Sequence, residues 1–367
     1  MEGIRILDKD RHFMQRALSL AAKAKGMTSP NPMVGAVVVK NGKIISEDYH
    51  KKAGEPHAEA LAISNAGDKA KGADLYVTLE PCCHKDKRTP PCTGAIINSG
   101  IKKVFIAMKD PNPKVSGKGI EELKKHGITV VNGIFEDKAK ILNEAYIKYI
   151  TTKTPFVILK TAMTLDGKIA TPEGQSKWIT GEAARKIVHQ MRSSVDAILT
   201  AVGTVKADNP ELTARIRGGR NPKRIVIDPD LETPLDFKIF NLPPETIVVT
   251  KKGQAASGRG QRLIGKGVKI LEYEGEKVDL KWFMKKLGEM EITSVMIEGG
   301  SSLNAYALQD GIVDKAVFFI APKIIGGKDS IPAIGGKTFK KLEEAIVMKD
   351  MKIKRVGSDL MIEGYIK

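Results

Sequence analysis

His57, Glu59, Cys82 and Cys92 restrict the possible folds of this 367-residue chain more than any other feature. One imidazole and two thiols form a ligand set for Zn²⁺ that leaves a fourth position open to water. Water bound there loses a proton near neutral pH and becomes a nucleophile. Glu59 is not needed as a ligand and is free to move protons. For the three ligands to share one ion, the segments that carry them must end on one side of one fold. The local sequence allows this. Pro56 presets the first turn of a helix that carries His57 and Glu59. Leu75 to Leu79 reads as a buried strand ending at Glu80-Pro81-Cys82, and Pro91-Cys92 opens a further helix through Ile97. All three ligands then fall at element ends, where open α/β sheets place their sites.

The rest of the chain alternates in the same way. Phe13, Met14, Ala17, Leu18, Ala21 and Ala24 recur at helical spacing over 9–25, with Gly26 suited to the stop. Val34 to Val39 and Ile44-Ile45 form strands joined at Asn41-Gly42. A strand from Val104 to Ala107, a short one near Ile128 to Val131 and helices over 118–126 and 136–149 follow. The pattern predicts an α/β domain with helices packed on a mixed sheet. A boundary falls at Thr151 to Pro155, giving domains over 1–150 and 151–367. The second half opens with a strand from Phe156 to Lys160. It continues with a helix near 182–192 and strands near 196–200, 224–228, 246–250 and 268–272. A helix over 279–288, a strand from Val295 to Ile297 and a strand-rich end from Lys315 complete it. Glu298-Gly299-Gly300 ends a strand and precedes a helix, a place where backbone N–H groups can receive a phosphate or simply make a tight turn. No G-x-G-x-x-G follows the first strand of this half, so a Rossmann domain is not indicated.

Composition limits what the chain meets. All three cysteines lie between Cys82 and Cys92, which reads as metal binding in a reducing cytosol instead of a disulfide framework. No apolar run is long enough to span a membrane, and the first residues lack the layout of a signal peptide, so a cytoplasmic location is expected. The net charge of +17 is compatible with a nucleic-acid partner, with a lysine-rich solvated surface, or with steering of anionic small substrates. Basic residues are spread along the chain, which favours the last two, and no nucleic-acid partner is expected.

The cysteines and histidines admit three arrangements. They can be unrelated residues, a closed structural knot of Cys82, Cys83, His84 and Cys92, or an open site of His57, Cys82 and Cys92. Adjacent Cys82 and Cys83 cannot easily both reach one ion, and the knot leaves His57 and Glu59 without a role. The open site corresponds to the H-x-E…P-C pattern of zinc nucleobase deaminases, with the second cysteine much further away than usual. Alternatives are a tRNA or free-base deaminase with an unrelated appended domain, and a zinc-stabilised nucleic-acid-binding protein without catalysis.

Four runs carry a more specific resemblance: Asn31 to Val39, Gly54-Glu55-Pro56-His57-Ala58-Glu59, Thr78-Leu79-Glu80-Pro81-Cys82 and Arg88-Thr89-Pro90-Pro91-Cys92. They closely resemble the bacterial bifunctional riboflavin-biosynthesis deaminase–reductases. The resemblance continues through Lys160 to Ala170, Gln175 to Thr180, Gly203 to Pro210, Glu298 to Leu303 and Ala321-Pro322-Lys323. It departs at a slightly longer Cys82–Cys92 loop, at Cys83 where serine is usual, and at Pro229 where a cofactor-contacting serine is expected.

The resemblance implies a cytidine-deaminase-like three-layer α/β/α domain followed by a dihydrofolate-reductase-like α/β domain. It implies Zn²⁺ on His57, Cys82 and Cys92, with Glu59 as the proton carrier. Asn31, His50 and Arg88 would hold the substrate's base or phosphate. NADPH would contact Ala162, Trp178, Thr204, Asp208 and the stretch Gly300, Ser301, Ser302, Leu303, Asn304, Ala305 and Tyr306. Ser176, Arg192, Leu212, Arg215 and Glu298 would contact a phosphorylated pyrimidine substrate, with the arginines as phosphate clamps. Asp208 and Glu298 are the candidates for the reductase's general acid. A homo-oligomer, dimer or tetramer, is also implied.

Overall fold

The computed structural model describes residues 6–84, 90–336 and 341–366. The chain divides into two compact units between Lys153 and Thr154.

The first unit contains α1 (Asp8–Ala21), β1 (Gly35–Lys40), β2 (Lys43–Tyr49), α2 (Ala58–Ala66), β3 (Asp74–Leu79), α3 (Cys92–Asn98), β4 (Lys103–Met108), α4 (Lys118–Lys125), β5 (Thr129–Asn132), α5 (Glu136–Leu142) and α6 (Glu144–Thr152). Among its described residues, five strands lie in the order β2-β1-β3-β4-β5. β1 runs antiparallel to β2 and β3, whereas β3, β4 and β5 run parallel. The central strands are buried on both faces, as parallel strands flanked by helices must be. Tyr76 on β3 shows which face meets α1. Its ring stacks on Phe105 and tilts against Phe13, and its hydroxyl donates to Asp10 Oδ1 at 2.7 Å. Its neighbours Leu75 and Val77 point the other way and are equally buried, so helices cover both faces. Gly35 allows α1 to lie directly on β1, because a Cβ there would stand 2.1 Å from the carbonyl oxygen of Ala17.

Two local readings differ from the sequence pattern. The helix expected over 136–149 breaks at Asn143 into α5 and α6. The Asn143 side chain accepts from Met33 N at 2.8 Å and donates to Met33 O at 3.0 Å, tying the break to the loop before β1. Pro56 also lies just outside its helix. His57 is the N-cap in extended conformation and α2 begins at Ala58.

The second unit contains β6 (Phe156–Thr164), β7 (Lys168–Ala170), α7 (Glu182–Ser194), β8 (Ala197–Ala201), α8 (Val202–Asp208), β9 (Lys223–Ile227), β10 (Thr246–Lys251), α9 (Gly258–Gly265), β11 (Lys269–Tyr273), α10 (Leu280–Glu289), β12 (Ser294–Ile297), α11 (Ser301–Gln309), β13 (Lys315–Ala321), β14 (Ile331–Pro332), β15 (Met348–Val356) and β16 (Asp359–Ile366). Among the described residues, nine strands form one sheet in the order β11-β10-β9-β8-β12-β6-β13-β16-β15. The run from β11 to β13 is parallel, and β16 and β15 close it as an antiparallel hairpin. Helices α8 and α9 were not evident from the pattern, because both are short and glycine-bearing. Among the described residues, no helix is long and apolar enough to cross a membrane.

Candidate active sites

The first unit brings His57, Cys82 and Cys92 together from three elements: the N-cap of α2, the loop after β3 and the first turn of α3. Their ligand atoms lie within 4.8 Å of one another. His57 Nδ1 is 3.1 Å from Cys92 Sγ and 3.6 Å from Cys82 Sγ. Zn–N and Zn–S bonds at a tetrahedral angle put nitrogen and sulfur about 3.6 Å apart, so the spacing fits this metal. The cysteines are 5% and 2% exposed. Cys92 N–H donates to Cys82 Sγ at 3.5 Å, a contact that favours thiolate. Without a cation, hydrogen bonding to Cys82 and burial push the Cys92 thiol well up. A divalent ion reverses that preference, since a coordinating thiol is deprotonated. Among the described residues, this group contains neither Cys83 nor His84, which disfavours the knot.

Glu59 is 3% exposed on the first turn of α2 and within hydrogen-bonding reach of Cys92 Sγ. Burial pushes its carboxyl up, opposed by the nearby His57. Asn31 and His50 adjoin the same centre. Asn31 Nδ2 lies 3.2 Å from His50 Nε2, His50 Nδ1 lies 3.2 Å from Pro56 O, and the His50 ring meets the His57 ring edge-on at 5.3 Å. Arg88 lies outside the described residues.

A second cluster forms in the other unit. Glu298, 9% exposed at the end of β12, receives Arg192 of α7 through Nε at 2.6 Å and Nη2 at 3.0 Å. Lys160 of β6 completes a triad, with Nζ 2.8 Å from Glu298 Oε2. Burial alone would raise the Glu298 carboxyl, but Arg192 and Lys160 outweigh it and hold it well below the usual range. A carboxylate held ionised in this way accepts hydrogen bonds and is poorly suited to be the general acid. Asp208, the other candidate, is paired with Lys177 at 3.2 Å. Neither the motifs nor the family resemblance assigns a role to Lys160. The signal was there: a cation inside the apolar strand Phe156–Thr164, 12% exposed at its side chain.

The expected cofactor residues divide. Gly300 is the N-cap of α11, and a Cβ on it would stand 3.3 Å from Thr204 Oγ1, so α8 closes on this turn. Ser301 Oγ and Asn304 Oδ1 are buried without a hydrogen-bond partner among the described residues. Open N–H groups, a tight glycine turn and the unpartnered Ser301 hydroxyl suit a phosphate-bearing dinucleotide, whereas the Asn304 oxygen is an acceptor and does not. Ser302 is exposed at the same helix start. Leu303 belongs to the core, Ala305 is buried, and Tyr306 donates to Val278 O at 2.8 Å, so these three side chains serve packing. Ala162 and Ser176 are half-buried, and Trp178 is 62% exposed under the Arg185 guanidinium. Leu212 is a core side chain, and the exposed Arg215 pairs with Glu211.

Two family models cover the chain. The cytidine and deoxycytidylate deaminase zinc-binding region matches residues 7–108, and the RibD C-terminal domain matches residues 155–362. Riboflavin biosynthesis protein RibD of Aquifex aeolicus is 49% identical over 97% of this chain and 98% of its own length. The chain belongs to the RibD family. RibD of Acinetobacter baumannii shares the structure with a TM-score of 0.90 at 37% identity, over 99% of this chain and all of that one. A diaminohydroxyphosphoribosylaminopyrimidine deaminase/5-amino-6-(5-phosphoribosylamino)uracil reductase from Thermotoga maritima matches with a TM-score of 0.87 at 39% identity, over 98% of this chain and 99% of that one. As in other RibD proteins, a cytidine-deaminase-like unit and a reductase unit share one chain. This full-length likeness disfavours a tRNA deaminase with an unrelated appendage and a non-catalytic nucleic-acid binder.

Proposed function

We propose that residues 1–150 deaminate 2,5-diamino-6-ribosylamino-4(3H)-pyrimidinone 5′-phosphate and that residues 151–367 reduce the ribosyl group of the product to ribityl. The observation that carries the first step is the convergence of His57, Cys82 and Cys92 with the buried Glu59 against them. Zinc held there makes water nucleophilic near neutral pH. Glu59 carries one proton from the water to the ring nitrogen as the C–O bond forms, then a second from the resulting hydroxyl to the amino group as the C–N bond breaks and ammonia leaves, so a single carboxylate acts as base and then acid in each transfer. His50, beside the His57 ring, holds the Asn31 amide, whose oxygen would then be offered to the substrate's ring.

In the second step, NADPH held by the second unit would supply the hydride for the anomeric carbon, whose bond to the ring oxygen breaks while the balancing proton comes from solvent. The turn Gly299-Gly300-Ser301, at the start of α11, would hold the cofactor's phosphate. Lys160 and Arg192 supply two cations against the single Glu298 carboxylate, leaving positive charge for a phosphorylated substrate. Glu298 fixes both cations and accepts from substrate hydroxyls. The net charge of +17 steers such anions, without a nucleic-acid partner. The working form is a cytoplasmic dimer or tetramer.

Glu59→Gln tests the assignment. The variant retains zinc and loses ammonia release by about 10²–10⁴-fold, the usual range for a proton-transfer group. Its NADPH oxidation on the deaminated product stays at the wild-type rate. Ammonia release at the wild-type rate removes Glu59 from the chemistry.

A further inference from the structure

Glu80 connects β3 to the first thiol, and its carboxylate is 2% exposed. Its three hydrogen-bond donors come from one stretch of backbone. Asp110 N–H at 3.2 Å and Gly117 N–H at 2.9 Å reach Oε2, and Ile120 N–H at 3.1 Å reaches Oε1. Gly117 is the N-cap of α4 and Ile120 lies in its first turn, so Glu80 satisfies N–H groups that the helix itself leaves unpaired. The cap is supplied from another element, not from the helix's own sequence. Between the two anchor points lies Val115, fully buried in a cluster with Cys82 and Cys92. The fit behind it is tight. A Cβ on Gly119 would stand 2.2 Å from Pro81 O and 3.2 Å from Glu80 Oε1.

We propose that Glu80 is a positioning residue of the deaminase centre. Its carboxylate pins the 110–120 stretch at both ends, and the stretch seats Val115 against both thiols. Glu80 thereby sets the spacing of Cys82 and Cys92 and keeps water from them on that side. This rests on the reading of His57, Cys82 and Cys92 as the metal site. The carboxylate form matters, because it offers acceptors on both oxygens. Glutamine keeps the shape but turns an NH₂ donor toward N–H donors.

The test uses the zinc-loaded full chain as wild type, Glu80→Gln, Glu80→Asp, Val115→Ala and the Glu80→Gln/Val115→Ala pair. Zinc transfer to a chromogenic chelator is followed alongside kcat and KM for ammonia release, reductase rate and melting temperature. Glu80→Gln releases zinc about 10–100-fold faster, the range typical of groups that support metal ligands. Its kcat falls while KM and the reductase rate hold. Glu80→Asp recovers part of the loss. Val115→Ala moves zinc release the same way, and the pair is no worse than Glu80→Gln alone, since both act through one stretch. A Glu80→Gln protein that melts lower but keeps wild-type zinc release and kcat overturns the proposal. If Glu80→Gln does not fold, Val115→Ala decides: wild-type zinc release in that variant overturns it. A wild-type chain that binds no zinc defeats the metal-site reading itself, an outcome distinct from zinc held equally by wild type and variants.

Discussion

Glu59 and Glu298 are both buried carboxylates, and their neighbours give them opposite duties. Glu59 faces thiols and an imidazole at a site built for a cation. Glu298 already has its cations, Arg192 and Lys160. Its folded pKa is depressed, so it contributes stability that is complete above the ordinary carboxylate value of about 4.3 and is lost as pH falls below it. Glu298→Gln leaves two largely covered cations, 12% and 15% exposed at their side chains, together without their partner. It should destabilise the second unit by about 3–5 kcal/mol, measured by urea unfolding. A change of less than about 1 kcal/mol means that solvent screens the triad. Glu298 was visible in the sequence through its glycine turn, and Arg192 through the family resemblance. Lys160 is not marked by any local pattern, because β6–β12 pairing brings it beside Glu298 and the packing of α7 adds Arg192. Glu80 stands in the Thr78–Cys82 motif, but its role depends on backbone donors some 30 to 40 positions away.

At the level of elements, turns and ligand-bearing ends were legible and long-range ties were not. The strand ending at Cys82 and the helix opening at Cys92 follow from local pattern. The break at Asn143 does not, because its partner Met33 is 110 residues away. The loop after β13 depends on a similar tie. Asp166, in the turn between β6 and β7, accepts from Thr164 Oγ1 at 2.6 Å, Gly326 N–H at 2.7 Å and Ile325 N–H at 3.3 Å. These bonds, the Thr164 hydroxyl foremost, lower its carboxyl to about 2. The depressed value means that the tie is complete above the ordinary carboxylate range and is lost as pH falls through about 2. Asp166→Asn should speed amide exchange at Ile325 and Gly326 at neutral pH while leaving exchange in β13 unchanged. Equal exchange at those two amides would show that the loop is held by other contacts.

For the whole molecule, the alternation of strands and helices foretold two α/β units. The type of each unit followed from the motif resemblance and the family models, since periodicity does not encode strand order. Each unit has its own core, so each should answer separately to its ligand. Stripping zinc with a chelator should abolish ammonia release and lower one unfolding midpoint, while NADPH oxidation on the deaminated product continues. Simultaneous loss of both activities would contradict separate sites. The most direct measurement supplies zinc-loaded protein with the phosphorylated diaminopyrimidine and NADPH, and follows ammonia and NADPH together. The account predicts ammonia release first, then NADPH oxidation after a lag, in equal final amounts. Oxidation of NADPH without ammonia release, or no ammonia from a chain that carries zinc, would contradict it.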